Sequence, residues 1–86
     1  MKVIFSQNAW EDYTSWIDQN KQMVNKINLL IKDIRRTPFE GLGKPEPLKY
    51  DLKGLWSRRI NNEHRLVYRT EGQDIIIYSC RFHYDK

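Results

Sequence analysis

Apolar residues recur along this chain with two different periods. Met23, Val24, Ile27, Leu30, Ile31 and Ile34 fall three and four residues apart, one stripe of an α-helix. Trp10, Tyr13 and Ile17 form a shorter stripe of the same kind, and Asn8, three residues before Glu11, predicts its capped start. Asn20 is placed to cap the second helix. Arg35 and Arg36 suit its carboxyl end, where cations favour the helix dipole, and Pro38 stops it. Lys2–Phe5 is a short apolar run of strand type. Beyond Gly54 the pattern turns to strands over Leu55–Ile60, His64–Thr70 and Asp74–Tyr84, parted by the turns Asn61-Asn62-Glu63 and Glu71-Gly72-Gln73. Between helix and strands lies TPFEGLGKPEPLKYDLKG, residues 37–54, with all three prolines and three of the four glycines. It reads as one long ordered loop, of the length usually reserved for function.

The order strand, helix, helix, loop, three strands predicts an α+β fold. Two N-terminal helices pack on one face of a mostly antiparallel four-stranded sheet, as a single domain over residues 1–86. Strand side chains alternate between faces. That rule sends Trp56, Ile60, Leu66, Tyr68, Ile76, Tyr78, Cys80 and Phe82 toward the helices. Arg58 shares their parity, and its charge predicts a sheet edge or an outward snorkel. The other face receives Ser57, Arg59, Arg65, Val67, Arg69, Ser79, Arg81 and His83, with Leu55, Ile75 and Ile77. Four arginines and a histidine without a carboxylate exceed what a merely solvated face carries. Arginine is also the preferred bidentate partner of phosphate, so this face is expected to bind an anion.

Composition narrows the class. At 86 residues there is room for one domain, and 3 Trp, 5 Tyr and 3 Phe can fill its core. Cys80 is the only cysteine, which excludes an intrachain disulfide and a stapled secreted scaffold. The longest apolar run, Ile75–Tyr78, is far below a membrane span. The start, MKVIFSQNAWEDY, turns polar too soon for a signal peptide, so a cytoplasmic protein without membrane contact is expected. A net charge of +4 suits an anionic partner, either nucleic acid or an acidic protein.

Little in the sequence supports a metal or a cofactor. Cys80 and His83, three apart on a strand, face opposite ways, and GLGK at 41–44 lacks the spacing of a phosphate-binding P-loop. Cys80 and His64 have core parity and read as structural. His83 lies on the arginine-rich face, between Phe82 and Tyr84. The 37–54 loop offers one carboxylate, Glu46, held between Pro45 and Pro47. A carboxylate, arginines and a histidine can cleave RNA without metal. The base takes the ribose 2′-OH proton and the alkoxide attacks the adjacent phosphorus. Arginine steadies the developing charge, and the protonated histidine gives its proton to the leaving 5′-oxygen. The products are a 2′,3′-cyclic phosphate and a 5′-OH.

The residues carrying this set also carry a family likeness. RRTPFEGLGKPEPLKYDLKGLWSRRINNEHRLVY (35–68) and CRFHY (80–84) resemble the YoeB toxins, a branch of the RelE-like, microbial-ribonuclease-like toxins of bacterial type II toxin–antitoxin systems. The likeness covers essentially the whole chain. It implies an endoribonuclease that cleaves mRNA in the A site of the 70S ribosome and so inhibits translation. It implies a homodimer, a YefM-like antitoxin partner, and contact with promoter DNA only through the antitoxin complex. By the family motifs Glu46 is the general base, Arg65 the phosphate-stabilising arginine and His83 the general acid. Arg59 and Tyr84 support the RNA, and Lys49 and Arg81 complete the substrate-binding set. Two features depart from the family pattern: Tyr50 replaces a histidine, and Asp85-Lys86 follow Tyr84. The competing expectations are a toxin of the same superfold that poisons DNA gyrase, and a non-catalytic antitoxin-bound corepressor. Glu46 together with His83 favours the nuclease.

Overall fold

Ser6, one residue into polar sequence, starts the first helix: its Oγ accepts the Ala9 N–H at 3.0 Å. The computed structural model describes residues 2–82. Strand β1 (Val3–Phe5) leads into α1 (Gln7–Gln19), and Asn20 turns the chain at once into α2 (Lys21–Arg36). The Asn20 side chain caps α2 by accepting the Gln22 N–H at 3.0 Å, as expected. The first cap is Ser6 rather than Asn8, which instead reaches the Tyr78 carbonyl. Residues 37–54 contain a short strand, β2 (Glu46–Pro47), and a 3-10 turn (Tyr50–Leu52). Then come β3 (Trp56–Arg59), β4 (Arg65–Glu71) and β5 (Asp74–Ser79).

The sheet therefore has five strands, in the order β1-β5-β4-β3-β2, not four. The extra one is β2. Two residues flanked by prolines show no alternation, and Pro47 has no N–H to give a ladder, so such a strand fits only at an edge. β1 runs parallel to β5, and every other pairing is antiparallel. Both helices cover one face. Ala9, Trp16, Met23, Ile27, Leu30 and Ile34 meet Ile60, Leu66, Tyr68, Ile75, Ile77 and Cys80 in one buried cluster. Area burial of this kind, at roughly 25 cal/mol per Å², is the main force holding so small a domain together.

The face assignments change along and beyond β5. Val67 pairs with Ser79 but Tyr68 pairs with Ile77, so Tyr78 is an extra residue, a β-bulge. The bulge reverses parity along β5. Ile75 and Ile77 enter the core, while Tyr78 lies on the outer face, where its hydroxyl accepts from Arg69 Nε at 2.8 Å. Phe82, expected inside, is exposed. Arg58 neither reaches an edge nor snorkels: it is 0% exposed. Its guanidinium donates to Asp33 Oδ2 at 2.6 Å, to Tyr68 Oη at 3.1 Å, and to the carbonyls of Thr37, Glu40 and Leu42 at 2.6, 3.0 and 3.1 Å. A buried cation is tolerable when every donor is matched and one partner carries the opposite charge.

Candidate active site

Register brings three of the sequence-predicted residues, Glu46, Arg59 and Arg65, onto one face. Glu46 stands opposite Ser57, Ser57 opposite Val67, and Arg59 opposite Arg65. Opposed residues share a face. Glu46, Arg59 and Arg65 thus all belong to the side away from the helices, with Arg58 and Tyr68 on the reverse. Three strands contribute, one candidate side chain each.

The backbone around Glu46 is pinned on both sides. Arg59 N–H donates to the Gly43 carbonyl at 2.7 Å, and Leu48 N–H donates to the Leu55 carbonyl at 2.9 Å. Gly43 has φ +78°, and a Cβ there would meet the Arg59 carbonyl and the Leu30 side chain at 3.0 Å each, so glycine lets the loop lie directly on β3. Lys44 follows with φ +52°, a conformation non-glycine residues avoid, immediately before Pro45-Glu46-Pro47. Leu48 is buried beneath the loop, while Glu46, Lys49 and Arg59 are exposed.

Arg65 is held more tightly. It is 9% exposed, and its Nη1 donates to the carbonyls of Asn61, Asn62 and His64 at 2.8, 3.3 and 3.1 Å. No described residue takes its Nε or Nη2. The turn that receives Nη1 is shaped by Asn61, whose Oδ1 accepts the N–H groups of Glu63 and His64. This turn fixes one edge of the guanidinium.

The segment after β5 is anchored beside Arg65. Arg65 N–H donates to the Phe82 carbonyl at 3.1 Å, and Phe82 N–H donates to His64 Nδ1 at 2.7 Å. His64, with a proton-accepting Nδ1 packed edge-on to Trp16, is a buried structural residue, as its parity indicated. Trp16 Nε1 donates to the Cys80 carbonyl and Asp12 accepts the Cys80 N–H. His83 and Tyr84 lie outside the described residues, one step beyond this anchor. Arg81 is not brought to Glu46 and Arg65. Its guanidinium stacks 4.0 Å above the Trp16 ring and donates to Ser15 Oγ and Gln19 Oε1 on α1.

Burial shapes the ionisable groups. Desolvation raises Asp12, opposed by the Cys80 N–H and then by Arg81. Burial, reinforced by Asp12, pushes the Cys80 thiol up to about 12, so it is not a nucleophile. Asp33 is lowered, first by the Leu42 N–H and then by its hydrogen bond from Arg58. The Arg58 clamp was missed because alternation marks the parity of a charged residue but not the partners waiting there. The spacing of Asp33 within α2, on the turn preceding Thr37, was the available signal.

The fold is that of small bacterial toxins. It superposes on a YoeB/ParE toxin from Agrobacterium tumefaciens with TM-score 0.94 at 53% identity, covering 98% of this chain and 100% of that one. It superposes on the toxin in a YoeB-YefM complex from Staphylococcus aureus with TM-score 0.91 at 52% identity, covering 98% of each chain. YafQ from E. coli shares the fold at 18% identity and TM-score 0.79, covering 95% of this chain and 92% of that one. In sequence, Toxin YoeB of Escherichia coli K12 is 58% identical over 84 residues, covering 98% of this chain and all of the relative. Toxin YoeB of a Synechocystis strain is also 58% identical, over the full length of both. A family model described as YoeB-like toxin of bacterial type II toxin-antitoxin systems matches residues 5–84. The chain belongs to this family.

Proposed function

We propose that this toxin is a metal-independent endoribonuclease that cleaves mRNA in the ribosomal A site and thereby arrests translation. The observation that carries the reading is the register that gathers Glu46, Arg59 and Arg65 on the sheet face left uncovered by the helices. Glu46 takes the 2′-OH proton. Arg65, immobilised along one edge, offers the remaining nitrogens to the phosphorane-like oxygens. His83, next after the anchored Phe82, protonates the 5′-oxygen, and Tyr84 supports the RNA. Arg59 and Lys49 hold flanking phosphates by charge, and Arg81 contributes to that field from its position on α1. The product is a 2′,3′-cyclic phosphate.

So small a face holds RNA weakly, which suits a composite site in which the ribosome positions the mRNA. Net positive charge and this exposed face also suit an acidic, YefM-like antitoxin that folds over the site, in a toxin that forms a homodimer in the cytoplasm. Solved relatives from S. aureus include a YoeB dimer and a heterotetrameric YoeB-YefM complex. Promoter DNA is then contacted only through the antitoxin complex.

Primer extension on mRNA in a purified translation system is the test. The expected result is ribosome-dependent cuts with cyclic-phosphate ends, abolished by a 2′-deoxy sugar at the scissile position. Cleavage of the deoxy-substituted strand at the unmodified rate would overturn the mechanism.

A further inference from the structure

The geometry points to Arg58 as a positioning residue for catalysis, holding Glu46 in place from the opposite side of the sheet through the 37–43 loop. The inference rests on the reading of Glu46 as the general base. Arg58 and its neighbours form a continuous grip. Five acceptors take its guanidinium protons, three of them loop carbonyls. Asp33 adds a bond from the Leu42 N–H, and Tyr68 Oη donates to the Pro38 carbonyl at 2.6 Å. Thr37 Oγ1 donates to the Glu40 carbonyl at 2.9 Å, closing the loop on itself. Gly41 is required here, because a Cβ would occupy the space of the Asp33 carboxylate.

These bonds hold the loop at Thr37, Pro38, Glu40 and Leu42. Its next residue, Gly43, is bonded to Arg59 N–H, and Glu46 follows three residues later, paired to Ser57. Arg58 sits between Ser57 and Arg59 in β3. The strand that receives Glu46 on its outer face thus grips, on its inner face, the loop that delivers Glu46. The short β2–β3 pairing and the backbone bonds flanking it would otherwise be the main restraints on β2, and edges fray. A base must be held to within roughly half an ångström of its productive place, and a misplacement of about 1 Å can cost about 10²-fold in rate.

The experiment compares Arg58→Lys, Tyr68→Phe and Glu46→Gln, singly and combined, in single-turnover cleavage on ribosomes, beside hydrogen exchange of the free toxin. Lysine keeps the charge opposite Asp33 but cannot reach five acceptors, and Tyr68→Phe removes only the hydroxyl. The expected result is a fall in the cleavage rate of about 10²-fold for Arg58→Lys and less for Tyr68→Phe, with unchanged half-saturation by ribosomes. The Arg59 and Leu48 amides lose protection while those of β4 and β5 keep it. In the Glu46→Gln background neither substitution lowers the residual rate further. The inference is overturned if Arg58→Lys and Tyr68→Phe cut as fast as the parent, or if they slow the Glu46→Gln protein by the same factor as the parent. It is equally overturned if protection is lost throughout the sheet, since Arg58 then only supports the fold. Where Arg58→Lys does not fold, Tyr68→Phe alone decides by the same criteria. A Glu46→Gln protein with the parental rate instead removes the general-base reading, a result separate from any of these.

Discussion

Arg58 and Arg59 are neighbours with the same side chain and opposite fates. Arg58 is wholly buried and gives its protons to five protein acceptors. Arg59 is exposed, its backbone N–H donates to the Gly43 carbonyl, and its guanidinium bonds to no described residue. One residue of strand alternation separates a cation that organises the fold from one exposed on the outer face. Charge counted along a sequence does not distinguish them; what each face is packed against does.

Removing each arginine separates the two roles most sharply. Arg58→Met should lower the unfolding free energy by roughly 3–5 kcal/mol in urea titrations, because it strands Asp33 and three carbonyls. Arg59→Ala should stay within about 0.5 kcal/mol of the parent and lose RNA affinity, with a shallower dependence on salt. Equal stabilities for the two variants would dissolve the contrast. On the outer face, Arg65→Ala should slow single-turnover cleavage by about 10²–10³-fold, as removal of a fixed electrostatic donor does. A rate within twofold of the parent would assign charge stabilisation elsewhere.

Acid titration reaches the inner face. Asp33 is held below its ordinary value of 3.8, so the folded state gains from its ionisation. That gain is full above pH 3.8 and disappears as the pH falls through the lower folded value. Asp33→Asn should therefore narrow the gap to the parent as the medium is acidified below that pH. A gap constant down to unfolding would show that the ion pair contributes nothing. Asp12 has the opposite sign. Its raised pKa means that burial of the charge opposes folding at neutral pH, and protonation relieves it. Asp12→Asn, which keeps an oxygen for the Cys80 N–H, should be neutral or stabilising by a few tenths of a kcal/mol near pH 7. A loss above about 1 kcal/mol would show that its attraction to Arg81 outweighs desolvation.

Much of this was legible in the chain. The α2 stripe, its Asn20 cap and its end at Arg36 before Pro38 follow from spacing and backbone chemistry. Alternation within β3 and β4 correctly grouped Arg59 with Arg65, since neither strand is interrupted. It failed in β5 because a bulge is a register event between two strands, and one strand read alone shows only Ile-Ile-Ile-Tyr. It placed Arg81 on the outer face, whereas beyond Ser79 the chain has left the ladder and the residue turns to Trp16. Glu46 was singled out through its prolines and its family motif, yet the strand it sits in was not predicted, because a two-residue edge pairing has no pattern of its own. The proposed roles of His83 and Tyr84 rest on sequence alone.

The parallel pairing of β1 with β5 has a consequence for how the toxin comes into being. Val3, Ile4 and Phe5 align with Ile75, Ile76 and Ile77, and Lys2 N–H meets the Asp74 carboxylate, a sequence separation of 72. The β2–β5 meander can zip locally, residue by residue. The first strand made has no place in the sheet until nearly the last has been synthesised, and closing so long a loop is a slow step in folding. Until β5 is made, β1 lacks the strand it pairs with. The sheet is therefore closed from the β1 side by its pairing of longest sequence separation.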